Sequence, residues 1–461
     1  MALIATVLVI IGIIGLFRLD RYPEARTSKA LWVPVIYLLI NSSRPVGAWF
    51  AGPTKPIAVD GIYSDPLGQA IDLVLLALAL AALIARGKKV GSLLRTSGPI
   101  LLFFSYAGLS ILWSDFPYVT FKHWFKGLED IVMVLVVVTD GDPVMAVKRL
   151  LTRAGFILIP LSLLFSMYYP SLGRVFTKSY EAEYVGVTEQ KNQLGIICMI
   201  FGLASLWCIL KAYRDRGSSA RRRQLLVHGA MLGIAIWLLT MSHSLTSSMC
   251  LILAGTVMAL VSRRSSGAES ARVHFLSAAA MCCALIPLFL ARSLVESFGR
   301  DATLSGRTEI WQSVIGLVQN PWLGAGYETF LMGPRLVELR KLYQNSFQEA
   351  HNGYLEIYLN LGWIGVSLFA FLLITGYQKV VAAVRREPTV GSLSLAFLIA
   401  VAINGLTEAP FRMMTATIFF LLWAIMGASK AIPVSPRRGR ERTVDLEVPV
   451  SHSAVTVGVH Q

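Results

Sequence analysis

Charge is what this sequence has least of. Only 15% of its 461 residues are Asp, Glu, Lys or Arg, against about a quarter in a soluble domain, and that shortfall excludes a chain folded wholly in water. Cysteine is scarce as well. The five cysteines (Cys198, Cys208, Cys250, Cys282 and Cys283) all fall inside apolar runs, none at metal-ligand spacing. That pattern excludes a zinc cluster and leaves them as small buried hydrophobes. Met1 to Phe17 has neither a basic start nor a small-residue cleavage site, so it is expected to be a retained anchor rather than a signal peptide. A convincing internal repeat is also missing, although many transporters are built from repeated halves.

What the chain does have is hydrocarbon. Hydrophobic residues make up 55% of it, gathered into thirteen runs near the length that crosses a bilayer. They are 2–17, 30–42, 67–85, 98–113, 127–139, 154–170, 192–210, 225–241, 246–262, 274–291, 354–376, 390–406 and 413–429. Two of them, 30–42 and 127–139, are short and must borrow flanking residues. Lipid leaves no water for unpaired backbone, so such runs become helices. The expected fold is all-α: a polytopic transmembrane helix bundle of twelve or thirteen spans, with a long outer loop containing short amphipathic helices. Residues 1–291 hold the N-terminal spans, 292–353 the large loop, 354–429 the C-terminal spans, and 430–461 a disordered cytoplasmic tail.

The net charge of +15 would suggest nucleic acid in a soluble protein. Here its distribution points to topology. One set of alternate connecting segments carries 28 Lys and Arg and the other 14, and the positive-inside rule puts the richer set in the cytoplasm. Arg221, Arg222, Arg223, Arg437 and Arg438 are orientation signals on this reading, and no nucleic-acid partner is expected. Asp140-Gly-Asp142 resembles the metal motif of nucleotide-sugar transferases, but its place before Pro143 makes it a turn.

The loop at 292–353 is the longest non-spanning stretch. Within it Trp311, Val314, Ile315 and Val318 repeat at i, i+3, i+4 and i+7, predicting an amphipathic helix over 306–319 that ends at Asn320-Pro321. Arg307 shares its apolar stripe and points inward or snorkels to headgroups. The Gly-rich turn from Pro321 to Tyr327 is expected to be a hinge. His351 stands at the mouth of the next span, where a group of ordinary pKa near 6.5 suits proton transfer. Asn352 and Glu356 lie one helical turn apart. Ionisable residues inside spans, Asp72, Glu129, Asp130 and Glu408, are functional candidates by default, though Glu129 and Asp130 adjoin a short span and fit the headgroup region as well. Asn404 and Glu408 are also one turn apart.

Ser305-Gly-Arg-Thr-Glu-Ile-Trp311, then Pro321-Trp-Leu-Gly-Ala-Gly-Tyr327, then His351-Asn352 followed by Gly362-x-x-Gly365 resembles the O-antigen ligase and polymerase superfamily, which includes exopolysaccharide polymerases. The resemblance covers about residues 190 to 376. It implies a metal-independent, inverting glycosyl transfer on the periplasmic side of the bacterial inner membrane, with no cofactor. The partners it implies are the bilayer, an undecaprenyl-diphosphate-linked saccharide as donor, and an acceptor saccharide or lipid-linked glycan. His351 matches the family's proposed base. Arg307 is then the leading diphosphate-binding cation, with Arg44 and Arg300 as further arginines and Glu356 as support. Lys191 and Asn192 match a Lys-Asn-x-x-Gly element. His243 lies in a serine-rich turn where ligases commonly have an arginine and this chain has Leu245, a departure that favours polymerase over ligase. Arg44, Lys191 and Glu408 must converge from other spans to complete the site. A lipid-linked oligosaccharide flippase is the competing class. It is disfavoured by the missing repeat and by the gathering of polar residues at one loop.

Overall fold

The computed structural model describes residues 1–20, 27–50, 65–176, 181–215, 220–262, 269–294, 303–343, 347 and 349–429. The chain is an all-α polytopic membrane protein. In order its elements are α1 (Ala2–Leu19), α2 (Trp32–Asn41), α3 (Val46–Phe50), α4 (Pro66–Ile84), α5 (Gly87–Thr96), α6 (Gly98–Leu109), α7 (Pro117–Val138), α8 (Pro143–Tyr168), α9 (Pro170–Gly173), β1 (Arg174–Phe176) and β2 (Ala182–Tyr184). There follow α10 (Lys191–Arg214), α11 (Arg221–Ser242), α12 (Leu245–Val261), α13 (Glu269–Leu294), α14 (Thr303–Gly316), α15 (Gly333–Leu342), α16 (Gly353–Arg386), α17 (Pro388–Asn404) and α18 (Ala416–Gly427). Each of the thirteen apolar runs coincides with a helix. Among the described residues six helices (α1, α4, α8, α10, α11 and α16) are long and apolar enough to cross a membrane.

Hydrophobicity around each helix decides its place. α18 is apolar all round and buried along nearly its whole length, and α17 likewise, as expected for helices at the centre of a bundle. α1 buries only Ala5 and lies at the periphery, with most of its leucines and isoleucines exposed. The short run at 127–139 does borrow flanking residues: α7 starts ten residues earlier at Pro117, where proline's missing N–H costs nothing. Glu129 and Asp130 accordingly lie within α7, and both are buried. Asp130 accepts hydrogen bonds from the Tyr37 hydroxyl at 2.9 Å and the Met414 backbone N–H at 2.8 Å, which ties α2 and α7 to the segment joining α17 to α18. Asp140-Gly-Asp142 is a turn. Asp142 caps α8 through the Met145 N–H, and Asp140 accepts from the Ser28 N–H and pairs with Arg86.

Two features differ from expectation. Strands β1 and β2 form a small antiparallel ribbon that has no alternating signal in so short a stretch. The Gly-rich turn is not a hinge, because it is bonded into a break in α16. Gly362 has φ 63° and ψ −168°, a region only glycine occupies readily, and the helix interrupted there leaves backbone groups unpaired. The turn takes them up. Trp363 and Ile364 N–H donate to Pro321 and Trp322 carbonyls, while Ala325 and Gly326 N–H donate to Leu359 and Asn360 carbonyls, at 2.8–3.3 Å. A Cβ at Gly362 would lie 2.2 Å from the Trp322 carbonyl oxygen. Gly362→Ala is therefore expected to destabilise the protein by more than the roughly 1–3 kcal/mol of backbone strain alone. A thermal melt in detergent that matches wild type would contradict this.

Candidate active site

The helix-to-loop junctions around α16 and α17 bring four distant segments together. Asn352 caps α16, its Oδ1 accepting from the Leu355 N–H at 3.0 Å while its Nδ2 donates to the Leu406 carbonyl. That leaves His351 just outside the helix in the left-handed region, φ 51°. Glu328 and Met414, two of the other three non-glycine residues with positive φ among the described residues, also border the site. Backbone strain gathered in this way is common where side chains are held for function.

His351 Nδ1 lies 3.1 Å from Glu349 Oε1 and 3.5 Å from Glu408 Oε2. Each carboxylate is held in turn. Glu408 Oε1 accepts from Asn192 Nδ2 at 2.9 Å and from Arg307 at 3.3 Å, and Arg307 also donates to the Thr407 carbonyl at 2.7 Å. Glu349 pairs with Arg412 at 3.5 Å, and the same guanidinium reaches Glu328 at 3.4 Å and Glu356 at 3.9 Å. Glu356 accepts from the Ala350 N–H at 3.3 Å, fixing the backbone one residue before His351. The result is a chain of alternating charge: Glu328, Arg412, Glu349, His351, Glu408, Arg307. Burial by itself would lower the His351 pKa, but its contacts with Glu349 and Glu408 outweigh burial and push it up to about 9. The ordinary value expected from sequence does not hold. Burial would raise Glu349, and the His351 contact and the Arg412 charge reverse this and lower it.

A cavity of about 420 Å³ opens beside the cluster, lined by Glu349, Glu408, Arg412 and Asn192 and by side chains of α2, α4, α7 and α10. Ligand atoms of Glu349, His351 and Glu408 all lie within 4.8 Å of one another, close enough to reach one cation. Arg307 and Arg412 already pair with the two carboxylates, so the donor set fits an arginine-braced imidazole better than a metal centre.

Of the residues singled out by sequence, His351, Arg307, Asn192 and Glu408 come together, with Glu356 in support. Others do not join them. Arg44 donates to the Leu172, Gly186 and Thr188 carbonyls and stacks on Trp49, committing its guanidinium to backbone. Lys191 pairs with Glu183 at 2.6 Å. His243 is an exposed left-handed C-cap of α11, and Asn352 is a cap. Asn404 is buried apart from the cavity. Arg300 lies outside the described residues. Arg307 points inward to Glu408 rather than snorkelling, and its neighbour Trp311 donates to the Ala350 carbonyl at 2.9 Å. Glu349 and Arg412 went unnoticed in the sequence. Glu349-Ala-His351 and the four-residue step from Glu408 to Arg412 are the signals that mark them.

Residues 228–370 match the family model described as O-antigen ligase, a stretch that holds Arg307, Glu349, His351 and Glu356. The chain is also similar to the exopolysaccharide production protein ExoQ of Rhizobium meliloti (strain 1021), with 24% identity over 343 residues that cover 71% of this chain and 75% of the relative. Taken with the helical bundle, these matches make the chain similar, over residues 228–370 and over most of its length respectively, to membrane proteins of the O-antigen ligase and exopolysaccharide production type.

Proposed function

We propose that this protein is a glycosyltransferase of the bacterial inner membrane, acting at its periplasmic face. It moves a saccharide from undecaprenyl diphosphate to an acceptor sugar hydroxyl, with inversion and without a metal. The observation that carries this is the imidazole of His351 braced by Glu349 and Glu408, both of which line a cavity, with an arginine on the Glu408 carboxylate. The acceptor oxygen forms the new bond to the anomeric carbon as the bond to the diphosphate oxygen breaks. The hydroxyl proton passes to neutral His351, since a neutral sugar hydroxyl is a poor nucleophile. Negative charge grows on the departing diphosphate, where Arg307 offers a fixed cation and a planar fork of donors.

Polymerase is favoured over ligase. The serine-rich turn carries an exposed Leu245 where ligases commonly carry an arginine, and the similar protein is named for exopolysaccharide production. Deleting the gene tests both. A polymerase is expected to leave envelope glycans with single repeats and no long chains. Full-length polymer stranded on its lipid carrier would indicate a ligase, and repeat units trapped on the cytoplasmic face would overturn the transferase reading in favour of a flippase.

A further inference from the structure

Helix α4 is apolar from Pro66 to Ile84 except at Gln69 and Asp72. With its cap Asp65 and with Gly68, these two form a polar stripe at i, i+3, i+4 and i+7, one face of a helix, and all four line the cavity that Glu349 and Glu408 also border. Asp65 is structurally committed, accepting from the Gly68 and Gly47 N–H groups. Asp72 is different. Its residue is 7% exposed and its Oδ1 has no hydrogen-bond partner. A carboxylate left so short of partners in an apolar helix is costly, and the cost is offset when a ligand in the cavity donates to the group.

We propose that Gln69 and Asp72 form the subsite that binds the acceptor saccharide through its hydroxyls, a step that rests on the transferase reading above. A carboxylate and an amide about 4.5 Å apart along the helix axis suit the hydroxyls of one or two sugar rings. Lys126 lines the same cavity and disfavours a bound metal cation there, while Asp65, Asp72 and Glu189 disfavour a diphosphate. Arg307, the residue suited to the diphosphate, does not line the cavity. Glu349 and Glu408, which hold the base, do. The cavity thus reaches the two carboxylates that hold His351, and a neutral hydroxyl bound there approaches the imidazole from their side.

The test uses full-length protein in proteoliposomes with a lipid-linked donor and, as acceptor, the methyl glycoside of the repeat unit from the producing strain's own polysaccharide. Asp72→Asn and Gln69→Ala are each expected to raise the acceptor KM by about tenfold or more, while kcat and the donor KM move far less. Gel filtration checks that each variant is folded, and Gln69→Ala gives the reading alone if Asp72→Asn is not. An unchanged acceptor KM in an active enzyme overturns the subsite and leaves the transferase reading standing. A shift in the donor KM reassigns the stripe to the donor and overturns it too. A sodium-dependent rate lost in Asp72→Asn assigns Asp72 to a cation and likewise overturns the subsite. If wild-type protein transfers nothing to either water or sugar, the transferase reading fails and the subsite fails with it.

Discussion

Replacing His351 with alanine is expected to lower saccharide transfer by about two to four orders of magnitude, the usual contribution of a positioned proton acceptor, with protein levels in the membrane unchanged. His351 stands outside the first turn of α16, and the helix is capped by Asn352 rather than by the imidazole, so removing the ring leaves the helix start in place. The pH profile carries a sharper test. With its pKa pushed up to about 9 by Glu349 and Glu408, the ring is mostly imidazolium at neutral pH, and only the neutral form accepts a proton. The rate at low substrate should therefore climb from pH 7, reach half its plateau near 9 and level off above that. The sign for stability is the opposite. A group whose folded pKa exceeds its unfolded value of about 6.5 stabilises fully below that value, and the contribution fades as pH rises through about 9. Glu349→Gln removes one negative neighbour, destabilises the imidazolium, and is expected to move the limb to lower pH. Activity that is flat across pH 7 to 9, or retained in His351→Ala, would remove His351 as the proton acceptor.

The spans were legible because hydrocarbon length is a local property. Each apolar run coincides with a helix, and the burial of Glu129 and Asp130 follows from one extra stretch of α7. The site was legible only in part. His351, Arg307, Asn192 and Glu408 converge, and each lies at a helix mouth, in a span, or on an amphipathic stripe where a polar side chain has few bland uses. Arg44, Lys191 and Asn352 sit in equally suggestive places, yet they bond to backbone carbonyls, to Glu183 and to a helix start. Helix ends leave unpaired backbone groups that polar side chains satisfy, and a linear pattern does not separate that duty from catalysis. Glu349 and Arg412 were missed for another reason. Their contact spans 63 positions, so it exists only after α16 and α17 have packed. The glycines of the 321–327 turn misled in the opposite direction. Read locally they promise freedom, but the fold bonds them across the break at Gly362, and glycine there serves close approach.

Arg307→Ala is expected to lower transfer by about 10²- to 10³-fold, the scale seen when one fixed donor to a developing anion is lost. Two arrangements in the fold give this residue its weight. It donates to the Thr407 carbonyl and to Glu408 Oε1, so its fork is oriented before any donor arrives. It also shares Glu408 with His351, which couples the leaving group's cation to the base. Arg307→Lys keeps the charge but loses the fork, since an ammonium is a point charge without the planar geometry that matches a phosphate. Its activity should fall between those of wild type and alanine. The pH profile separates an electrostatic role from a merely structural one. Without the guanidinium, Glu408 faces His351 with its negative charge uncompensated, the imidazolium becomes more stable, and the rising limb moves to higher pH. That is the opposite direction from Glu349→Gln. A variant that is folded, slow and shifted upward fits Arg307 as both diphosphate cation and counterweight to the base. One that is slow with an unshifted limb would limit it to the diphosphate, and one with wild-type rates would remove it from the mechanism.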